Sequence, residues 1–236
     1  MLPFIPFFPI EHLRRIKQAI CLTVLLLSSV GYATVTEVLM VYRFDQDRNG
    51  QLPKGFIFAV TGKGPSVKWE VRMDETAPTK HNILGQVGYA EGGNNFPLAV
   101  LDGVTVRDGE VSVKFKAVGG QEDQAGGLVW RHQDANNYYV ARANALEDNY
   151  TIYYVKNGKR QSLKSADLKV TPQAWHTLKV VSHKNVFTLY FDGKEVLTTH
   201  DNTFSQPGRV GLWTKADSVT YFDDFEVKSY DTKPPD

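Results

Sequence analysis

Arg131 and Arg142 are the residues best equipped for chemistry in this chain. They sit in the segment Gly126 to Arg142, which reads as two short runs joined by a polar Asp/Asn-rich turn and also carries Trp130, Tyr138 and Tyr139. A guanidinium is a planar fork of donors, suited to paired oxygens on a sugar or to a carboxylate, and an aromatic face suits a sugar ring. If the runs are strands, alternate side chains go to opposite faces. Val129, Arg131 and Gln133 then share one parity, and Leu128 and Trp130 the other. On the second run Tyr138, Val140, Arg142 and Asn144 lie together. With both arginines on one open sheet face, Glu147 and its neighbours Asp148 and Asn149 complete a polar pocket, with Trp213 and Lys215 opposite. The competing reading is structural, with Arg142 simply paired to Glu147. Trp175, which opens a later strand, is expected in the core.

A second constellation has metal-ligand character. Asp45-Gln46-Asp47-Arg48-Asn49-Gly50 places oxygen ligands at alternate positions ahead of a glycine, the opening of a calcium loop. The twelfth position is Phe56 where a bidentate glutamate belongs, which excludes an EF-hand. What remains is a sandwich-type calcium site, with Asp45, Asp47 and Asn49 joined by Asp223 or Asp224, weighed against a plain polar turn. No other cofactor is expected. No histidine pair has a zinc-ligand spacing, and no Gly-x-Ser-x-Gly elbow occurs.

The elements that must position these residues are read from Phe44 onward, where short strands alternate with turns and no helical period appears. Val111, Val113, Phe115 and Ala117 alternate with Ser112, Lys114 and Lys116, a half-buried strand. Phe187, Leu189 and Phe191 repeat the pattern and end at Asp192-Gly193. That dipeptide and Asn157-Gly158 are the strongest hairpin signals. Such spacing, with 12% aromatic residues, predicts two packed antiparallel sheets. Lys63 to Ala90, with Pro65 and Pro78, reads as long surface loops.

Residues 1–33 read as an export signal. Arg14, Arg15 and Lys17 precede an uncharged run, and Gly31-Tyr32-Ala33 supplies small residues for cleavage. An uncleaved anchor is the alternative. The single cysteine, Cys21, lies inside this leader, so the remainder carries no disulfide, thiol nucleophile or thiolate metal site. Net charge is +1 for the whole chain and about −1 without the leader, which points to neither nucleic acid nor a membrane surface as partner. The expectation is one domain over 34–229 and a frayed tail over 230–236, in a monomer exported to the periplasm or beyond.

Gly126 to Arg131, Asn137-Tyr138-Tyr139, Ala174-Trp175-His176-Thr177-Leu178-Lys179-Val180, Gly211-Leu212-Trp213 and the closing run Tyr221 to Val227 carry a resemblance. From about Val41 to Lys228 the chain resembles the concanavalin A-like jelly-roll domains of exported bacterial proteins, near the 3-keto-disaccharide hydrolase-like family. The resemblance implies an all-β, two-sheet jelly-roll sandwich. It specifies fold better than activity. Family 16 glycanases carry a Glu-x-Asp-x-x-Glu strand, and no Glu here is followed two positions later by Asp. The Asp-His pair expected after Gly211-Leu212-Trp213 in the 3-keto family reads Thr214-Lys215.

Three functions therefore stand open. The first is a lectin-like module that binds glycans or a related polar polymer on its concave sheet face without catalysis, through Arg131, Gln133, Tyr138, Arg142, Asn144, Glu147, Trp213 and Lys215. The second, implied by the resemblance, is an enzyme on 3-keto glycosides, with Glu147 or Lys215 as base and Arg131 or Arg142 holding developing negative charge. The third is a laminin-G-like adhesion module that works through its loops.

Overall fold

The computed structural model describes residues 38–62, 68–88 and 95–230; the leader and residues 231–236 of the expected tail lie outside them. The described residues form fifteen strands in two antiparallel sheets, the predicted all-β sandwich. An eight-stranded sheet runs β13 (Lys194–His200), β12 (Val186–Phe191), β11 (Trp175–His183), β6 (Gly109–Gly119), β15 (Val219–Ser229), β4 (Asn82–Gln86) and β3 (Trp69–Met73). Its eighth strand, β1 (Val38–Tyr42), pairs with the second half of β15, while β4 takes the first half of the same edge. A seven-stranded sheet runs β10 (Lys159–Asp167), β9 (Asn149–Lys156), β8 (Asn137–Asn144), β7 (Ala125–Asp134), β14 (Gly208–Thr214), β5 (Phe96–Val106) and β2 (Phe56–Thr61).

Alternation explains the main core. Val111, Val113, Phe115, Leu178, Val180, Phe187 and Leu189 face inward from one sheet, and Leu128, Trp130, Ala141, Ile152 and Leu212 from the other. Asn157-Gly158 and Asp192-Gly193 turn as expected, with positive φ at both positions of each pair (51° and 74°, 48° and 79°).

Three expectations change. Lys63 to Ala90 is not all loop, because β3 and β4 lie within it and bury Trp69, Val71, Ile83 and Leu84. At five residues each, and flanked by prolines, these strands leave little periodic signal. Trp175 leaves the core, because the parity that buries Leu178 and Val180 sends it to the outer face of the eight-stranded sheet. There its Nε1 donates to Thr76 Oγ1 at 3.1 Å, and Lys116 lies over its ring. His176 packs inward instead, against Phe191 and Phe115. Tyr230, expected to fray, donates its N–H to the Asp108 carbonyl at 2.9 Å and its hydroxyl to Glu110.

A second core lies on the outer face of the seven-stranded sheet. Phe96, Leu98, Val100, Ala125, Val129, Tyr138, Val140, Val155 and Trp213 cluster there, all buried and all contributed by this one sheet. Three strands separate Tyr138 on β8 from Thr61 on β2, yet their hydroxyls lie 2.7 Å apart. Thr61 Oγ1 also donates to the carbonyl of Ala135, in the β7–β8 turn, at 2.5 Å. The sheet therefore curls until the β7–β8 turn meets the opposite edge strand, and it closes over its own outer face. Small residues permit this. Gly127 and Gly211 stand on the curled face between larger neighbours, and a Cβ on either would come within 2.5 Å of a carbonyl oxygen, of Ala141 or Ala99 respectively.

Candidate functional site

The expected pairing of Arg131 with Arg142 on one face does not form. Across this stretch strand β7 holds one residue more than β14 and two more than β8, and Arg131 adopts φ of 46° at the resulting bulge. The bulge turns Trp130 and Arg131 to the same side, between the sheets. Gly208 accommodates it, since a Cβ there would overlap the Arg131 backbone. The Arg131 guanidinium is 1% exposed, lies 5.2 Å from the Phe187 ring centroid, and donates to the carbonyls of Arg107 (3.1 Å), Phe204 (2.8 Å) and Lys184, with Asp108 at 3.4 Å. It ties together loops of both sheets. Trp130 and Tyr139 stack on each other in the same interior, 5.4 Å apart. Gln133 is spent on the Arg131 and Pro207 carbonyls.

Tyr138 and Trp213 do share the outer face but are fully buried in it. Trp213 stacks on Phe96 at 5.2 Å and donates Nε1 to the Tyr138 hydroxyl at 3.3 Å; burial pushes that hydroxyl up to about 12. The middle of the face is thus filled by its own side chains.

The polar residues gather at one end of this face. Arg142 pairs across β8–β9 with Thr151, and Asn144 with Asn149. Arg142 Nη2 donates to Glu147 Oε2 at 2.5 Å and to Asn149 Oδ1 at 2.8 Å, while Nη1 lies 3.9 Å from Asp123. Buried Asp123 accepts from Asn144 Nδ2 at 2.7 Å and pairs with Lys215. Burial alone would raise the Glu147 pKa; hydrogen bonds from Arg142 and Asn149 outweigh it and hold the carboxyl below its ordinary range. Arg142, Asn144, Glu147 and Lys215 are therefore brought together as expected, and the Arg142–Glu147 pair foreseen as the structural alternative is present within the same cluster.

Three residues that the sequence reading did not single out complete the group: Asp123, Tyr153 and Arg160. The Asn157-Gly158 hairpin places Arg160 opposite Val155, on the face that also carries Tyr153. The Arg160 guanidinium lies over Tyr153 (4.6 Å), Phe96 (4.9 Å) and Trp213 (5.8 Å). Desolvation, more than the neighbouring charge of Arg142, lowers its pKa. Tyr153, Glu147, Asn149, Arg160 and Lys215 all keep some exposure, so this end is accessible. Tyr153 also receives Arg142 over its ring at 5.5 Å. The hairpin register was the signal that could have found Arg160 and Tyr153; Asp123, in a loop, had none.

The calcium expectation does not assemble. Asp224 is held by Arg43 Nε at 3.1 Å, and Asp223 accepts from Thr79 N (3.1 Å), Thr79 Oγ1 (2.9 Å) and Asp224 N (2.8 Å). Asp47 Oδ1 accepts from Lys54 N. Among the described residues no group of three or more acidic or His/Cys side chains is disposed to hold a metal ion. Asp45, Asp47 and Asn49 remain a polar turn, beside a cavity of about 340 Å³ lined by Gln46, Asp47, Arg48, Gln51, Leu52 and Lys54. Among the described residues no helix is long and apolar enough to cross a membrane.

No family model matches the sequence, and no curated protein matches it. Solved structures do match the fold. The carbohydrate-binding module CBM66 from Bacillus subtilis superposes with a TM-score of 0.56 at 20% identity, over 73% of this chain and 94% of that one. The β-glucanase of Bacillus licheniformis gives 0.53 at 14%, over 76% and 94%. The Emp47p carbohydrate recognition domain gives 0.53 at 14%, over 80% and 92%. The fold is that of the concanavalin A-like jelly-roll sandwich.

Proposed function

We propose that this protein is an exported, monomeric glycan-binding module without catalysis, and that its site is the polar end of the curled sheet. The observation that carries the reading is the cluster of Arg142, Glu147, Asn149, Arg160 and Lys215 beside the partly exposed ring of Tyr153, over which both guanidiniums lie. An aromatic face ringed by charged forks and an amide is the chemistry that holds a sugar ring and its hydroxyls. Neighbours of the same fold include a carbohydrate-binding module and a carbohydrate recognition domain, in support. Because the centre of the face is filled, the site takes a terminal or protruding sugar residue and not a chain laid across the sheet. Glu147 and Lys215 are each engaged with a side-chain partner of opposite charge, which favours holding a ligand over moving a proton.

Purified full-length protein incubated with a panel of oligosaccharides and 3-keto-glycosides tests this, with thermal shift and product release read together. Stabilisation without turnover is expected, and Tyr153→Ala should remove it. Turnover would replace the reading with an enzyme of the 3-keto-disaccharide type. The filled centre of the face favours a second reading, a protein-adhesion module using its loops, and absence of stabilisation across the panel would bring that forward.

A further inference from the structure

Among the charged groups at the polar end, the carboxylates are fully committed and the guanidiniums are not. Asp123 is shared by Asn144, Lys215 and Arg142, and Glu147 by Arg142 and Asn149. Arg142 is 2% exposed and satisfies both of its terminal nitrogens, yet its Nε is buried with no partner. Arg160 has no carboxylate within ion-pair distance among the described residues; it rests on three aromatic rings, and its Nη1 is buried without a partner. Both guanidiniums lie over Tyr153, at 5.5 and 4.6 Å, so the two unsatisfied N–H groups belong to cations that share one ring. A buried donor left unmade is costly, more so on a charged group, so this arrangement is short of an acceptor.

We infer that the site selects a sugar bearing a carboxylate, a uronic acid residue. Its carboxylate takes the partly exposed guanidinium of Arg160, and its ring lies against Tyr153. Two coplanar oxygens match a guanidinium fork, and a single negative charge balances Arg160, the cation that this cluster leaves unpaired among the described residues. Neutral sugars lack the second charge-accepting oxygen and leave Arg160 as it is. This inference rests on the proposed glycan-binding site and specifies its ligand class.

The test compares an oligogalacturonate with its methyl ester, which keeps every hydroxyl and loses only the charge, and includes a sulfated and a neutral oligosaccharide. Calorimetric titration of the full-length protein at low salt is expected to show the free acid binding about tenfold or more tighter than the ester, in line with a hydrogen-bonded charge pair. The preference should shrink as salt rises. Arg160→Gln should bind acid and ester alike, and Arg160→Lys, which keeps the charge without the fork, should retain part of the difference. Thermal midpoints of both variants establish that they are folded. Equal affinity for acid and ester, a preference that survives Arg160→Gln, or tighter binding of the sulfated sugar overturns the uronate assignment. Binding of the neutral sugar with no acid preference overturns it while leaving the glycan-binding reading intact; no binding in any arm overturns both.

Discussion

Replacing Arg131 with alanine should unfold much of the sandwich's end without touching the proposed ligand site. The guanidinium is 1% exposed and donates to carbonyls at residues 107, 184 and 204, besides facing Asp108 at 3.4 Å. Those acceptors come from three separate loops, and no single side chain of another type reaches all of them. Removing one partner of a buried, hydrogen-bonded charge pair costs about 3–5 kcal/mol. The stranded carbonyls are not independent of that figure, so it stands as the whole estimate. In a domain of this size each kcal/mol moves the thermal midpoint by about 2–4 °C, so a fall of about 6–20 °C is expected. Arg131→Lys should recover little, because an ammonium cannot present a planar fork to separate carbonyls. Differential scanning calorimetry, with urea denaturation as a second measure, reads the effect. A midpoint within about 3 °C of the native protein would refute the structural role and return Arg131 to the list of ligand contacts.

Asp223 offers a pH signature. Burial pushes its carboxyl up to about 6 despite hydrogen bonds from Thr79 and Asp224, so between about pH 4 and 6 the folded state keeps a proton that the unfolded chain has lost. Stability should fall by on the order of 2–3 kcal/mol as pH rises through that window. Asp223→Asn should flatten the slope, and parallel urea midpoints for the two proteins from pH 4 to 7 would sink the assignment. Gly127→Ala should cost at least about 1–3 kcal/mol, since its Cβ would sit 2.5 Å from the Ala141 carbonyl oxygen; an unchanged midpoint would show that the curled face has room to spare. Thr61→Val removes both bonds that join β2 to the β7–β8 hairpin and should cost about 1–3 kcal/mol. Amide exchange should speed at the hairpin tip, and unchanged protection there would mean that the curl does not depend on this contact.

The sandwich was legible because period-two alternation and Asn-Gly or Asp-Gly turns are local signals, and both recur along the chain. What the alternation could not reveal is where it breaks. One extra residue at Arg131 and one at Asp224, each with φ of 46°, reset the parity of β7 and β15. Neither residue type announces positive φ in sequence, and counting by twos from Val129 put Arg131 on the wrong side. Arg142 and Asn144 lie on β8 where no bulge intervenes, and for them the count held. Trp175 failed for the opposite reason: its aromatic character suggested burial, while the parity fixed by Leu178 and Val180 already pointed it outward.

The curl that fills the middle of the seven-stranded sheet also builds its polar end. Arg160 belongs to the edge strand β10, yet its guanidinium lies over Trp213 and Phe96, with three strands standing between β10 and the first of these and four before the second. On a flat sheet at about 4.8 Å per strand no arginine spans that distance. The cation therefore reaches its place only because the sheet rolls, and the rolling is driven by burying Trp213, Tyr138 and the valines of the second core. Apolar burial supplies the closure, and Arg160, which that closure carries inward, is left over aromatic rings with no counter-ion among the described residues. Site and second core are in this sense one structure, so a substitution that loosens the curl should weaken ligand binding even at residues that touch no ligand.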